Sequence, residues 1–219
     1  MSQTSTNPTL KWILIVIAVV TALGAVFVVL YVTYPDDCRA ARKLQKRGFK
    51  IEYNWYDDNK IWQRPTTVRG EDQSITLDDS RLICQLPHLY ELVFWHCDAS
   101  GLNLDEIGNC QELTWLRFRS LTRFPVNELQ KLTTCPVKFV TVELRDVPLK
   151  DSDLEVFAKF THLTSLVLIF NNEGVTDACL EYFEKIPTLK DLQFQGSSIT
   201  HEGVEEFKKK RPDVEVHYK

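Results

Sequence analysis

Leu163-Thr-Ser-Leu-Val-Leu-Ile-Phe-Asn171 sets Leu163, Leu166 and Leu168 at the spacing Leu-x-x-Leu-x-Leu. The spacing recurs as Leu89/Leu92/Phe94, Leu113/Leu116/Phe118, Phe139/Val142/Leu144 and Leu189/Leu192/Phe194. With Leu163 in its place, the five starts are separated by 24, 26, 24 and 26 residues. A period of that length marks a stacked repeat, because one unit cannot bury its apolar side alone. Residues two apart on a strand share a face, so Leu166 and Leu168 point one way and Ser165, Val167 and Ile169 the other. Between the strands the chain reads as helix. Thr176-Asp177 opens one helix, and Thr200 with Glu202 behind it opens another. Leu154, Leu180 and Val204 are 26 and 24 apart, and Phe157, Phe183 and Phe207 keep the same intervals. Strand and helix halves therefore share one period.

The turns are as informative as the strands. Gly174-Val-Thr-Asp-Ala-Cys-Leu-Glu-Tyr-Phe183 is followed by Leu189-Lys-Asp-Leu-Gln-Phe-Gln195 and Ser198-Ile-Thr-His-Glu-Gly-Val-Glu-Glu-Phe207. On these residues the chain resembles the leucine-rich repeat family. With Arg39-Ala-Ala-Arg-Lys-Leu-Gln-Lys-Arg-Gly-Phe-Lys-Ile-Glu-Tyr53, it is similar to membrane-anchored bacterial members, which place a single N-terminal span before a short Arg/Ala-rich helix. The resemblance is strongest over 137–219 and weakest over 54–85. It implies an α/β fold: a right-handed solenoid with a parallel β-sheet on its concave face and helices on its convex face. It implies no activity. Cys97, three residues after Phe94, then falls where such repeats place Asn or Cys, as does Asn171 after Leu168. Lys50–Trp55 and Val214–Tyr218 alternate like strands and are expected to cap the two ends. Residues 54–85 fit poorly. Ile75, Leu77 and Leu82 hint at a degraded repeat, but Leu77 lies only 17 residues before Phe94.

Upstream of the repeats, Trp12 to Thr33 contains no charged residue. Its 22 residues span about 33 Å as a helix, enough for a hydrocarbon core of about 30 Å. A signal peptide is the alternative, but its apolar part usually runs about 7–15 residues. A transmembrane helix at 12–33 after a tail at 1–11 is the favoured reading. Pro35-Asp36-Asp37 then reads as a helix start and Gly48 as its stop. The resulting basic helix, 34–49, carries Arg39, Arg42, Lys43, Lys46 and Arg47, which either rest on anionic headgroups or only halt translocation. Six Lys or Arg between 39 and 50, against Lys11 before the span, place the rest of the chain in the cytoplasm by the positive-inside rule. The remaining divisions are a cap with a degraded repeat at 50–85 and the repeat domain at 86–219.

Charge and residue types narrow the function. Residues 51–219 hold 19 basic and 28 acidic side chains, so no basic face for nucleic acid is expected. The six cysteines contain no Cys-x-x-Cys pair, which leaves a metal site without support; thiols are favoured over disulfides. Cys110 is in register with Leu86, Phe160 and Ile186, a core position. Asp57-Asp58, Asp78-Asp79 and Glu205-Glu206 read as solvated turns, with no calcium loop. Lys208-Lys209-Lys210-Arg211 suits a helix C-terminus. The one dense group of reactive types is Trp95-His96-Cys97-Asp98. Adjacent strand residues face apart, so His96 and Cys97 make a poor nucleophile–base pair there, and no catalytic motif or cofactor cradle is present.

The outward strand positions form three columns: Glu91, Trp115, Thr141, Ser165, Asp191; then Val93, Arg117, Glu143, Val167, Gln193; then Trp95, Arg119, Arg145, Ile169, Gln195. Trp and Arg are enriched at binding hot spots. Trp95, Trp115, Arg117, Arg119, Glu143, Arg145, Val167 and Ile169 are thus the candidate surface for a protein or peptide. The competing reading is that the arginines pair with Glu91 and Glu143 and the aromatics only cover the sheet. The expected function is a membrane-anchored interaction module without catalysis or cofactor. The alternative is a structural subunit of a membrane complex.

Overall fold

The computed structural model describes Thr21 and residues 36–55, 63–124, 126–144, 147–170 and 174–218. The expected span at 12–33 lies, Thr21 apart, outside them. Among the described residues no helix is long and apolar enough to cross a membrane.

One eight-stranded sheet runs in chain order. Its strands are β1 (Lys50–Trp55), β2 (Gln63–Glu71), β3 (Glu91–Trp95), β4 (Trp115–Arg119), β5 (Phe139–Leu144), β6 (Ser165–Phe170), β7 (Asp191–Gln195) and β8 (Glu215–Tyr218). β1 pairs antiparallel with β2, and every later neighbour is parallel. Both expected end strands are therefore present, as β1 and β8. The helices are α1 (Asp36–Lys46), α2 (Leu77–Ile83), α3 (Leu104–Ile107), α4 (Leu180–Glu184) and α5 (His201–Lys210). Two connections that read as helix are 3₁₀ instead, Val126–Leu132 and Asp151–Lys159, and a third opens with a 3₁₀ turn, Asp177–Cys179, that runs into α4. The 3₁₀ form rises about 2.0 Å per residue against about 1.5 Å, so a short return segment reaches further in it.

The register corrects one repeat. Leu116 pairs with Val140 and Phe118 with Val142, so the core triple there is Val137/Val140/Val142 and not Phe139/Val142/Leu144. A shift of two residues keeps the same side chains inward, so alternation alone could not detect it. Leu144 is buried as well, at the end of a strand that runs one residue further than β4.

The first repeat is also now legible. Val68 pairs with Leu92 and Gly70 with Phe94, which puts Pro65/Val68/Gly70 where later repeats have Leu/Leu/Phe. Phe49, from beyond α1, supplies the missing bulk. A Cβ on Gly70 would come within 3.1 Å of the Phe49 ring and 3.2 Å of the Phe94 ring. Phe49 meets Phe94 edge-on at 6.5 Å, and Phe94 stacks on Phe118 at 5.6 Å. Of the three residues that hinted at this repeat, Ile75 is buried, Leu82 half-buried and Leu77 exposed.

α1 is the other cap. Ala40, Ala41 and Leu44 on one side of it join the common core, Cys38 is buried beside them, and Gly48 ends it with a positive φ of 96°. Each Thr-Asp turn clamps two repeats together. Asp151 accepts from the Thr176 N–H and hydroxyl at 2.7 and 2.8 Å, and Asp177 accepts from those of Thr200, both at 2.7 Å. Thr176 and Thr200 in turn cap their own helices. Gly203 is glycine because a Cβ would sit 2.3 Å from the Asp177 carboxyl carbon.

Candidate binding face

On the sheet face turned away from the helices, register fixes which side chains adjoin. Glu91, Trp115, Phe139, Ser165 and Asp191 form one column, Val93, Arg117, Thr141, Val167 and Gln193 the next, and Trp95, Arg119, Glu143, Ile169 and Gln195 the third. Phe139 therefore replaces Thr141 in the first column, and Glu143 takes the place expected for Arg145. Arg145 itself lies outside the described residues. β2 adds Thr67, Arg69 and Glu71 beside Glu91, Val93 and Trp95.

Trp115 is held on three sides. Its indole stacks on Phe139 with ring centroids 4.0 Å apart, the Arg117 guanidinium stands 4.8 Å from its ring, and its N–H donates to the Tyr90 hydroxyl at 2.9 Å. It nevertheless stays half-buried. With Arg117, Phe139, Thr141, Ser165 and Val167 it lines an open groove of about 550 Å³. Ile169 is half-buried beside that groove, one column over.

The arginines are paired within the face. Arg117 reaches Glu91 at 2.9 Å, and Arg119 reaches Glu143 at 2.9 Å. Glu143 is only 4 % exposed and also accepts from the Ser120 hydroxyl at 3.2 Å. This pairing was one of the two readings the sequence left open, and both members of it occur. Trp95 lies between Arg69 and Arg119, whose guanidinium carbons are 5.4 and 5.9 Å from its ring. Val93 beneath them is 1 % exposed.

Tyr90, Arg69 and Phe139 belong to this surface and were missed. Phe139 was recoverable: Val137/Val140/Val142 lies 24 residues after Leu113/Leu116/Phe118, the same interval as between the two repeats before it. Arg69 was hidden by the Pro and Gly of its repeat.

The basic helix presents Arg42, Lys43 and Lys46 exposed and Arg39 half-buried. Arg47, also exposed, turns onto the domain. It pairs with the buried Asp79 at 2.7 Å and donates to the Thr76 hydroxyl at 2.8 Å. Downstream, Lys210 pairs with Glu184 at 2.9 Å, and Arg211 donates to the carbonyls of Glu184, Ile186 and Leu189.

The reactive group departs from the strand geometry assumed for it. β3 ends at Trp95, and His96 turns into the left-handed region with φ of 50°. His96 faces Asp72 at 3.6 Å, while the buried Cys97 thiol donates to the Trp95 carbonyl at 3.2 Å. No hydrogen bond joins the two. Burial pushes the Cys97 thiol up, which disfavours the thiolate. All six cysteines are free thiols. Burial raises Cys110 to about 12 and Cys135 to about 11. Among the described residues no group of three or more His, Cys, Asp or Glu is placed to hold a metal ion.

No protein-family model matches the chain, and no curated protein does. Solved structures similar to it include a leucine-rich repeat protein of Leptospira interrogans, at 18% identity over 62% of this chain and 38% of that one, TM-score 0.41. An internalin of Listeria monocytogenes gives 18% identity over 63% and 36%, TM-score 0.42. The leucine-rich repeat ectodomain of a receptor kinase from Arabidopsis thaliana gives 13% over 84% and 91%, TM-score 0.35. The chain spans less than two fifths of the length of the first two. The likeness says nothing of what this chain binds.

Proposed function

We propose, taking the chain as the leucine-rich repeat protein that its period and register make it, that it is a membrane-anchored interaction module. It binds a protein or peptide on the open face of its sheet and carries no catalysis of its own. The observation that supports this is Trp115, an aromatic anchor fixed by Phe139, Arg117 and Tyr90 and yet left half-exposed beside an open groove. A rigid aromatic loses little conformational freedom when a partner covers it. The anchor is the apolar run at 12–33, with Arg42, Lys43 and Lys46 of α1 toward anionic headgroups. The positive-inside rule puts the repeats in the cytoplasm.

Site-specific photo-crosslinking in cells carrying the full chain tests the face. A photoreactive residue at Phe139 or Val167 is expected to capture a discrete partner, and one at Glu181 on the helical side is not. Capture from Glu181 alone would favour a structural subunit that packs through its flank. Protease protection of a C-terminal tag in spheroplasts tests the topology: digestion of the tag from outside would reverse the cytoplasmic assignment.

A further inference from the structure

Three arginines on one sheet face would ordinarily point to an acidic partner. Here each guanidinium already holds a carboxylate of the same face: Arg69 with Glu52 at 3.5 Å, Arg117 with Glu91 at 2.9 Å and Arg119 with Glu143 at 2.9 Å. An acidic segment would have to displace those carboxylates, exchanging one ion pair for another. What the pairing leaves unmet is neutral. The indole Nε1 of Trp95 and the Nε of Arg69 are buried donors without a hydrogen-bond partner, on adjacent strands. Such orphans are rare in folded proteins and call for an acceptor. Beside them Trp115, Phe139, Val167 and Ile169 give an apolar surface, half-exposed.

We infer that the occupant of this face is an uncharged, apolar, extended peptide segment of a partner protein; this rests on the reading of the face as protein-binding. A main-chain carbonyl of the segment accepts from Trp95 Nε1 as the guanidinium of Arg69, which stands over the ring, swings outward with the exposed Glu52, while Arg119 stays on the buried Glu143. Its aliphatic or aromatic side chains lie on Trp115 and Phe139.

The test is selection of a phage-displayed library of random dodecapeptides on the full chain in lipid nanodiscs, with Trp115→Ala as the counter-target. Enriched peptides are expected to be near-neutral and rich in aliphatic and aromatic residues. Their synthetic forms should change affinity by less than about twofold between roughly 50 and 500 mM salt, because no ion pair is exchanged. Trp95→Phe, which keeps a ring between Arg69 and Arg119 and deletes the donor, should weaken them about tenfold while lowering Tm only slightly, since the donor it removes had no hydrogen-bond partner. Equal binding by Trp95→Phe would overturn the carbonyl contact. Acidic peptides whose affinity falls more than about tenfold over that salt range would overturn the neutral occupant but leave a peptide-binding face standing. If no peptide distinguishes the chain from Trp115→Ala, the inference fails together with the reading beneath it.

Discussion

Arg119 and Trp115 stand at opposite ends of β4 and have opposite energetic roles. Arg119 compensates a carboxylate that is itself 4 % exposed, so removing the cation leaves Glu143 buried without its counter-charge. Arg119→Ala is expected to cost about 1–3 kcal/mol, the range for a buried acceptor left unsatisfied. Arg119→Ala combined with Glu143→Leu should recover most of that, since replacing both members of a pair by apolar groups is often near neutral. Urea midpoints of the three variants measure it, and equal destabilisation in single and double variants would reject the coupling. It follows that Arg119→Ala is a poor probe of binding, whereas Trp115, whose environment is lost contact and not lost charge, is a fair one. The arginine-rich columns were legible from period 2 alone. Their pairing with Glu91 and Glu143 was one of two readings left open; which arginine meets which carboxylate was not legible, because it depends on the register between neighbouring strands, and the third repeat was read two residues out of place.

α1 shows how a short element can serve two surfaces. Its apolar side, Cys38, Ala40, Ala41 and Leu44, is consumed by the core, which leaves no apolar stripe to sink into a bilayer. What it can offer a membrane is charge alone. Arg47→Ala should therefore lower stability by about 1–3 kcal/mol, because Asp79 stays buried without its cation. The double change of Lys43 and Lys46 to Gln should leave stability within about 0.5 kcal/mol, as for ordinary surface sites. It should weaken adhesion to anionic vesicles by about 1 kcal/mol per residue. Thermal unfolding and vesicle co-sedimentation separate the two, and a Tm drop in the double variant would show that these residues also hold the fold. The helix and its Gly stop could be read from sequence, as could both end strands, since each is a local pattern. The first repeat could not. Its core column depends on Phe49 filling the space above Gly70, a contact between residues 21 apart in a chain whose local pattern there is Pro, Val, Gly.

Across the whole molecule one continuous core links α1 to Phe207 and Val214, so the described repeats are expected to unfold together. Several thiols sit within that core. Cys110 and Cys135 are raised by burial to about 12 and about 11, so the folded form keeps its protons where the unfolded chain would lose them. Their contribution is fully present below about pH 8.5 and is lost as pH climbs toward their folded values. Urea midpoints should fall from pH 8.5 to 10, by up to about 1.4 kcal/mol per pH unit for each thiol. Cys110→Ala should flatten that decline while lowering stability at pH 7 through the cavity it leaves. An unchanged alkaline slope would show that these thiols do not govern it. The in-face pairing of arginine with glutamate has a consequence for time as well as for affinity. A face whose charges cancel over a few ångströms projects little field beyond a Debye length of about 8 Å. A partner is then not steered toward it, and encounter should proceed at the unsteered rate of about 10⁵–10⁶ M⁻¹ s⁻¹. Discrimination among candidates would rest on how long each stays, and a membrane tether that keeps the partner nearby would do what electrostatic guidance does elsewhere.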